Sequence, residues 1–369
     1  MSYDLSLDPK TSANSDRVLS GEEVLQDIKV LIYALENAYP AVWKIPAREW
    51  SQIISKLENL RPSQNISSRD LGTILADVLW EIPDGHLKVR LTTETLGEKL
   101  RTHLRKPSTG RNISEGQVWK IENHKADSQT IPVVGISWFP QSSEAHWNGF
   151  LEEIERLISF PTIVFDLRGN FGGDDSKSIE MMSLLLGKPL EFDWLRDIVC
   201  VSTEAYTLQA NTYSKIIWNG YTSKNLTPPD ALANELASFK DKAVALKGKP
   251  PEKEIFESSP AQEKISQPKY SGKIVVLIDS ETSSSGEWTA LYLKRHPNTV
   301  LVGENTYGMI HFGNSGTLRL PNSQLEVTLC MKINELTDGS FYEKTGIPAD
   351  ITVKNQDSLT HVLSNLIST

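Results

Sequence analysis

The sequence predicts an α/β protein in which a helical unit precedes a mostly parallel sheet, and three observations carry that prediction. From about residue 130, short β-branched runs alternate with helical patterns, the texture of strands joined by crossover helices. Before about residue 88, apolar residues recur at helical spacing instead. Between about residues 190 and 270 the alternation is interrupted by a charged, Pro-punctuated stretch of helical propensity.

Residues 1–19 are polar and uncapped, which predicts a flexible arm. Ser20 and Glu23 stand at capping-box spacing, Val24, Ile28, Leu31 and Leu35 follow on one helical face, and Pro40 closes that helix. A second helix is expected over 47–60 with Trp50, Ile53, Leu57 and Leu60 inward, and a third over 68–80 with Leu71, Leu75, Val78 and Leu79. These make an N-terminal helical domain, 20–88, joined by a connector, 89–130, to an α/β core over 131–369. In the core we expect strands at 133–138, 162–166, 273–278 and 299–302, helices at 145–159, 176–186 and 286–295, and a hairpin of 316–320 with 325–331 turning at Pro321 and Asn322. The stretch 190–270, with aromatic anchors Trp194, Tyr206 and Trp218, reads as a helical surface insertion or lid.

The chain has 369 residues, enough for about two domains, and its 39% hydrophobic content supports a real core. A net charge of −9 without any basic run argues against a nucleic-acid or anionic-membrane partner. Two cysteines, Cys200 and Cys330, are too few and too scattered for a disulfide framework or a zinc site of recognisable spacing, so reduced core thiols and no metal or cofactor are expected. The N-terminus has neither a positive n-region nor an apolar h-region, and no run reaches ~18 apolar residues. A cytoplasmic location is the expectation.

Four separated segments end predicted elements with the residue types acyl transfer needs. Asp84-Gly85-His86 follows the third helix at a turn that leaves an imidazole orientable. Asp166-Leu167-Arg168-Gly169-Asn170-Phe171-Gly172-Gly173 follows a strand, and its glycines permit close approach of backbone N–H groups to a ligand. It lacks the spacings of a phosphate loop. Asp279-Ser280-Glu281-Thr282-Ser283-Ser284-Ser285-Gly286-Glu287 places hydroxyls where a strand meets a helix N-terminus, a site of unpaired N–H groups; a Ser-rich helix cap has the same appearance. The fourth segment, Tyr342 to Asp350, carries Glu343, a carboxylate able to orient an imidazole.

Together with Gly303-Glu304-Asn305-Thr306-Tyr307-Gly308 and the closing Gly346-Ile347-Pro348-Ala349-Asp350, these motifs resemble the serine peptidase family of C-terminal processing proteases and tricorn-type proteases over about residues 20–355. The resemblance implies a ClpP/crotonase-like catalytic core. It also implies Ser284 as nucleophile, three residues before Glu287, with the N–H of Ser285 and of Gly172 or Gly173 as oxyanion donors. Relatives of the Ser/Lys type carry a lysine twenty-five residues past the serine, where this chain has Met309. A thioether cannot accept the serine proton. The tricorn-type branch instead uses a histidine at the position of His86 and a glutamate at that of Glu343; its serine before the histidine is replaced here by Gly85. The triad expected is therefore Ser284, His86 and Glu343, with His311 as the rival base. The interval 91–130 is too short for the PDZ domain that many relatives insert there.

The function expected is a serine peptidase acting on a peptide or protein substrate. A non-catalytic binding module for an apolar ligand or peptide, and an esterase, amidase or transpeptidase using the same triad, are the alternatives. Analogy with the tricorn branch allows a homo-oligomer. Trp43, Trp138 and Trp194 read as core or cleft aromatics.

Overall fold

The computed structural model describes residues 2–10, 16–61, 64–97, 117–126, 129–140, 145–257, 268–354 and 356–366. Residues 98–116 of the expected connector, His103 among them, and 258–267 of the expected insertion lie outside the described residues. The chain divides into two compact units that interleave in sequence: 1–104, 194–257 and 311–341 form the first, and 105–193, 258–310 and 342–369 the second.

In the first unit the helix Gly21–Ala38 starts as its sequence dictates. Ser20 accepts from the Glu23 N–H at 3.3 Å while the Glu23 carboxylate accepts from the Ser20 N–H at 2.8 Å. Val24, Ile28, Leu31 and Leu35 are buried on its inner face. Helices Ala47–Glu58 and Ser68–Leu79 complete the expected helical group. Against it packs an antiparallel sheet in the order Glu94–Thr95, Lys88–Leu91, Glu326–Leu336, Leu195–Val201, Glu252–Glu257, with Phe312–Arg319 pairing the other side of the long strand. The expected hairpin is thus present but longer, because its two strands also border this sheet.

The segment 190–270 contributes the expected helices, Thr203–Gly220 and Asp230–Ala245, and also the strands Leu195–Val201 and Glu252–Glu257. Leu208, Ala205 and Cys200 of this segment share one buried core with Leu31, Leu35 and Phe312. Part of the arm expected to be flexible is also tied down. Buried Asn211 takes both backbone groups of the passing chain, donating to the Leu5 carbonyl at 2.8 Å and accepting from the Leu7 N–H at 3.0 Å.

The second unit is built on a six-stranded sheet in the order Ile351–Thr352, Thr299–Gly303, Lys273–Ile278, Thr162–Asp166, Gln129–Ile136, Trp119–Ala126. Every pairing is parallel except the last. Central parallel strands must be apolar on both faces, and Ile274 to Ile278 are all fully buried. The register sets Leu277 opposite Asp166 and Ile278 opposite Gly303, so three strands end level with one another. Loops leaving the carboxyl ends of parallel strands are where α/β sheets place ligands. The helix expected over 145–159 is split into a 3₁₀ turn, Ala145–Trp147, and an α-helix, Phe150–Leu157, by Gly149 in the left-handed region at φ 75°.

Candidate active site

Ser284 stands where the loop after Lys273–Ile278 enters the helix Ser285–Leu293, and its backbone has φ 53° and ψ −121°. For a residue with a Cβ this is a strained conformation that costs about 1–3 kcal/mol and survives only when its surroundings hold it. Strained strand-to-helix turns of this kind expose a nucleophilic hydroxyl. Ser284 is also the N-cap residue of that helix, with the Glu287 carboxylate returning to its N–H, so the cap reading of the serine cluster holds; a cap of ordinary extended backbone does not by itself account for the positive φ.

The surroundings that hold the turn are explicit. Glu287, fully buried, accepts four hydrogen bonds: from the N–H of Ser284 (3.0 Å) and Met309 (2.7 Å) on Oε2, and from the Thr306 hydroxyl (2.6 Å) and Gly308 N–H (2.8 Å) on Oε1. Burial pushes its carboxyl up to about 7 while those four donors pull the other way. Glu287 thereby ties the turn to the loop 306–309. Thr306 in turn receives the Ile347 N–H on its hydroxyl at 2.6 Å. Sequence reasoning quoted Glu287 only as part of a motif; the Ser-x-x-Glu spacing from Ser284 was the available signal of a carboxylate returning to its own helix start.

Behind the turn lies the glycine loop. Asn170 is buried; its carbonyl accepts from the Ser283 N–H at 2.8 Å, its Nδ2 donates to the Ile136 carbonyl, and its Oδ1 accepts from the Gly172 N–H at 2.9 Å. A Cβ on Gly172, whose φ is 94°, would sit 2.7 Å from the Ser284 Cβ and 2.9 Å from the Ser285 nitrogen. A Cβ on Gly173 would strike the Phe139 carbonyl oxygen at 1.8 Å. Both glycines are therefore demanded by close approach. The Ser285 hydroxyl donates to the Gly173 carbonyl at 2.6 Å, which brings those two residues together as well. Of the two glycine amides considered as oxyanion donors, that of Gly172 is spent on Asn170.

Glu343 is buried and its Oε2 accepts from the Ile310 N–H at 3.1 Å, while the next residue, Lys344, donates its N–H to the Gly308 carbonyl at 2.9 Å. Through Glu287 the Ser284 turn reaches Gly308 and Met309, and Glu343 reaches Ile310, so both border one short loop, 308–310. Asp279 fixes the same end of the sheet from below, its Oδ1 accepting from the N–H groups of Gly169, Glu281 and Thr282. Arg168 is not a binding group in this arrangement; it is locked between Asp166 and Asp357, each at 2.6 Å.

His86 and His311 belong to the first unit. His86 is half-buried in the turn after Ser68–Leu79, where Asp84 Oδ1 accepts from the N–H groups of His86 (2.7 Å) and Leu87 (3.2 Å) and Asp84 Oδ2 from the Tyr39 hydroxyl (2.7 Å). Burial, with Lys88 adding to it, pushes the imidazole down to about 3 and keeps it neutral near pH 7. His311 is buried against Phe341, ring centroids 4.6 Å apart, with Nδ1 on the Asn334 carbonyl at 2.8 Å. Its sequence proximity to Met309 is matched by a structural employment. Of the tryptophans considered, Trp138 stacks on the exposed Phe171 of the glycine loop at 6.0 Å. Among the described residues no helix is long and apolar enough to cross a membrane.

No curated protein matches the sequence. Among solved structures, mature CPAF is 16% identical with a TM-score of 0.55, covering 90% of this chain and 92% of that one. A candidate peptidase from Parabacteroides merdae is 16% identical with a TM-score of 0.54, covering 96% and 94%. These likenesses establish the shared fold. The model of peptidase family S41 matches residues 130–353, which spans the glycine loop, the strained serine turn and the Glu343 segment. A chain that carries this match over more than half its length belongs to peptidase family S41 and is a serine peptidase.

Proposed function

We propose that the enzyme hydrolyses peptide bonds through an acyl-enzyme on Ser284, with His86 as general base and Glu343 orienting it, in the manner of the tricorn-type branch. The strained backbone of Ser284, its N–H held by the buried Glu287 carboxylate that also gathers the loop 306–309, is the observation that carries this reading. In this scheme the Ser284 oxygen attacks the substrate carbonyl as its proton passes to the imidazole. The carbonyl oxygen becomes an oxyanion, received by the N–H groups of Ser285 and Gly173, while Gly172 serves to bring the loop against the serine. The imidazolium then returns its proton to the leaving amine, and a water repeats the sequence to release the acid.

Three features support His86 in the base role. Met309 occupies the position from which a lysine would act. His86 offers a ring nitrogen that can accept a proton, and the Glu343 carboxylate placed beside it in this scheme would restore the basicity that burial lowers. His311, by contrast, is engaged by Asn334 and Phe341. General-base catalysis contributes roughly 10² to 10⁴ in rate, and one oxyanion donor a similar order. The test is peptide cleavage by wild type, His86→Ala and His311→Ala, followed by mass spectrometry of the products. The expected result is loss of at least about 10²-fold in kcat for His86→Ala alone. Full activity of His86→Ala with loss in His311→Ala would overturn the assignment, and amine-capped products in place of acids would make the enzyme a transpeptidase.

A further inference from the structure

The two cysteines carry no sequence spacing that suggests a metal, yet the fold of the first unit gathers a ligand set around one of them. The antiparallel register pairs Thr328 with Lys88, so continuing it by two residues sets Cys330 across from His86. Asp84 joins them from the same turn. One ligand atom from each of Asp84, His86 and Cys330 lies within 4.8 Å of the other two. We propose that these three side chains form a binding site for a divalent cation of the zinc class, and that its occupancy switches the peptidase off by sequestering the imidazole. The inhibitory half of this proposal rests on His86 being the general base; the binding half does not.

The donor set chooses the cation. A thiolate, an imidazole nitrogen and a carboxylate oxygen are the mixed soft and borderline ligands that zinc takes at tetrahedral sites, whereas magnesium and calcium prefer oxygen alone. Three protein ligands leave a fourth position for water. The ligands are also held from behind, as functional metal ligands are: Asp84 by the Tyr39 hydroxyl and two backbone N–H groups, Cys330 by Ser315, whose Oγ lies 3.6 Å from its sulfur. Asp84 and Cys330 are almost wholly covered and His86 is half-buried. Binding forms a metal–sulfur bond and releases the thiol proton to solvent, with no change in oxidation state.

Lys88 limits the affinity. Its ammonium interacts with both Asp84 and Cys330, and a second cation in the same place is repelled by it. A site with three ligands and a neighbouring ammonium suits a reversible inhibitor that comes and goes with metal supply, in contrast to a closed four-ligand structural site.

Cobalt(II) reports the site without reference to activity. Titrating the metal-free protein with cobalt is expected to give one equivalent of binding and a thiolate-to-cobalt charge-transfer band. That band should vanish in Cys330→Ser, weaken at least tenfold in apparent affinity in Asp84→Asn, and persist in Cys200→Ser, whose thiol lies beside Ser202 and Asn37 and, among the described residues, outside any group of metal-ligating side chains. Zinc is expected to inhibit peptide cleavage by the wild type, with chelator restoring it. Cys330→Ser should keep its metal-free activity within a few-fold and resist zinc at least tenfold better. Absence of the band in wild type, or its survival in Cys330→Ser, overturns the site. A normal band with unimpaired cleavage in saturating zinc leaves the site standing but removes both the switch and His86 as base. A protein with no peptidase activity at all refutes the proposed function while the cobalt band still decides the metal site.

Discussion

Replacing Glu287 by Gln exchanges one oxygen of a buried carboxylate for an amide nitrogen, and the structure fixes what that costs. Each oxygen accepts two donors, so the glutamine carbonyl keeps one pair and the amide turns its own N–H groups against the other. Two hydrogen bonds to the carboxylate lose their acceptor, at about 1.5–3 kcal/mol each, and the amide is left facing either the Ser284 and Met309 N–H groups or the Gly308 N–H and the Thr306 hydroxyl. The expected destabilisation is therefore about 3–6 kcal/mol, a large part of the 5–15 kcal/mol that holds an ordinary domain together. Whichever pair is lost, the turn at Ser284 or the loop 308–310 below Glu343 is released. We expect kcat to fall by ~10² or more for 3 kcal/mol of misplacement, with KM changed much less.

Urea unfolding measures the first quantity, and peptide cleavage with serine-directed labelling the second. A variant as stable as wild type that labels at the wild-type rate would refute the reasoning. The pH dependence adds a second check with opposite signs for stability and activity. Because burial raises this carboxyl from 4.5 to about 7, folding favours its protonated form. Its stabilising contribution is complete below the unfolded value and is lost as pH rises through about 7. Activity needs four donors met by a carboxylate, so kcat should instead rise through that pH, and the rise should disappear in Glu287→Gln.

Three other outcomes follow from single geometric facts. Ser284→Gly and Ser284→Ala should both be inactive, but the glycine variant should be about 1–3 kcal/mol the more stable in urea, because glycine occupies φ 53° without strain. Gly173→Ala drives a Cβ into the Phe139 carbonyl and should cost about 3 kcal/mol or more together with nearly all cleavage; a wild-type melting temperature would show that the glycine loop is not packed as described. Asn211→Ala removes the clamp on Leu5 and Leu7, so limited trypsin digestion after Lys10 should accelerate while peptide cleavage persists.

What the sequence made legible depended on how local the cause was. The Ser20 and Glu23 box announced its helix because both partners lie within one turn, and the run Lys273–Ile278 announced a buried strand because a central parallel strand must be apolar throughout. Glu252–Glu257 escaped because an exposed edge strand of charged residues around an adjacent Ile255 and Phe256 carries neither alternation nor a burial pattern. Gly149 broke a helix whose apolar periodicity runs straight through it, since periodicity records burial and not φ. In the site, the matched motifs singled out Ser284, but its positive φ, the expenditure of the Gly172 amide on Asn170 and the four donors on Glu287 are tertiary facts. Cys330 is the extreme case: only strand pairing across more than two hundred residues brings it to His86.

The central claim is that Ser284 is the nucleophile of this family S41 peptidase, activated by histidine. Labelling with a fluorophosphonate and mapping the adduct by mass spectrometry tests it most directly. The account predicts one adduct, on the peptide that carries Ser284, absent in Ser284→Ala and formed at least about 10²-fold more slowly in His86→Ala. An adduct on another residue, or peptide cleavage that survives in Ser284→Ala, would contradict it.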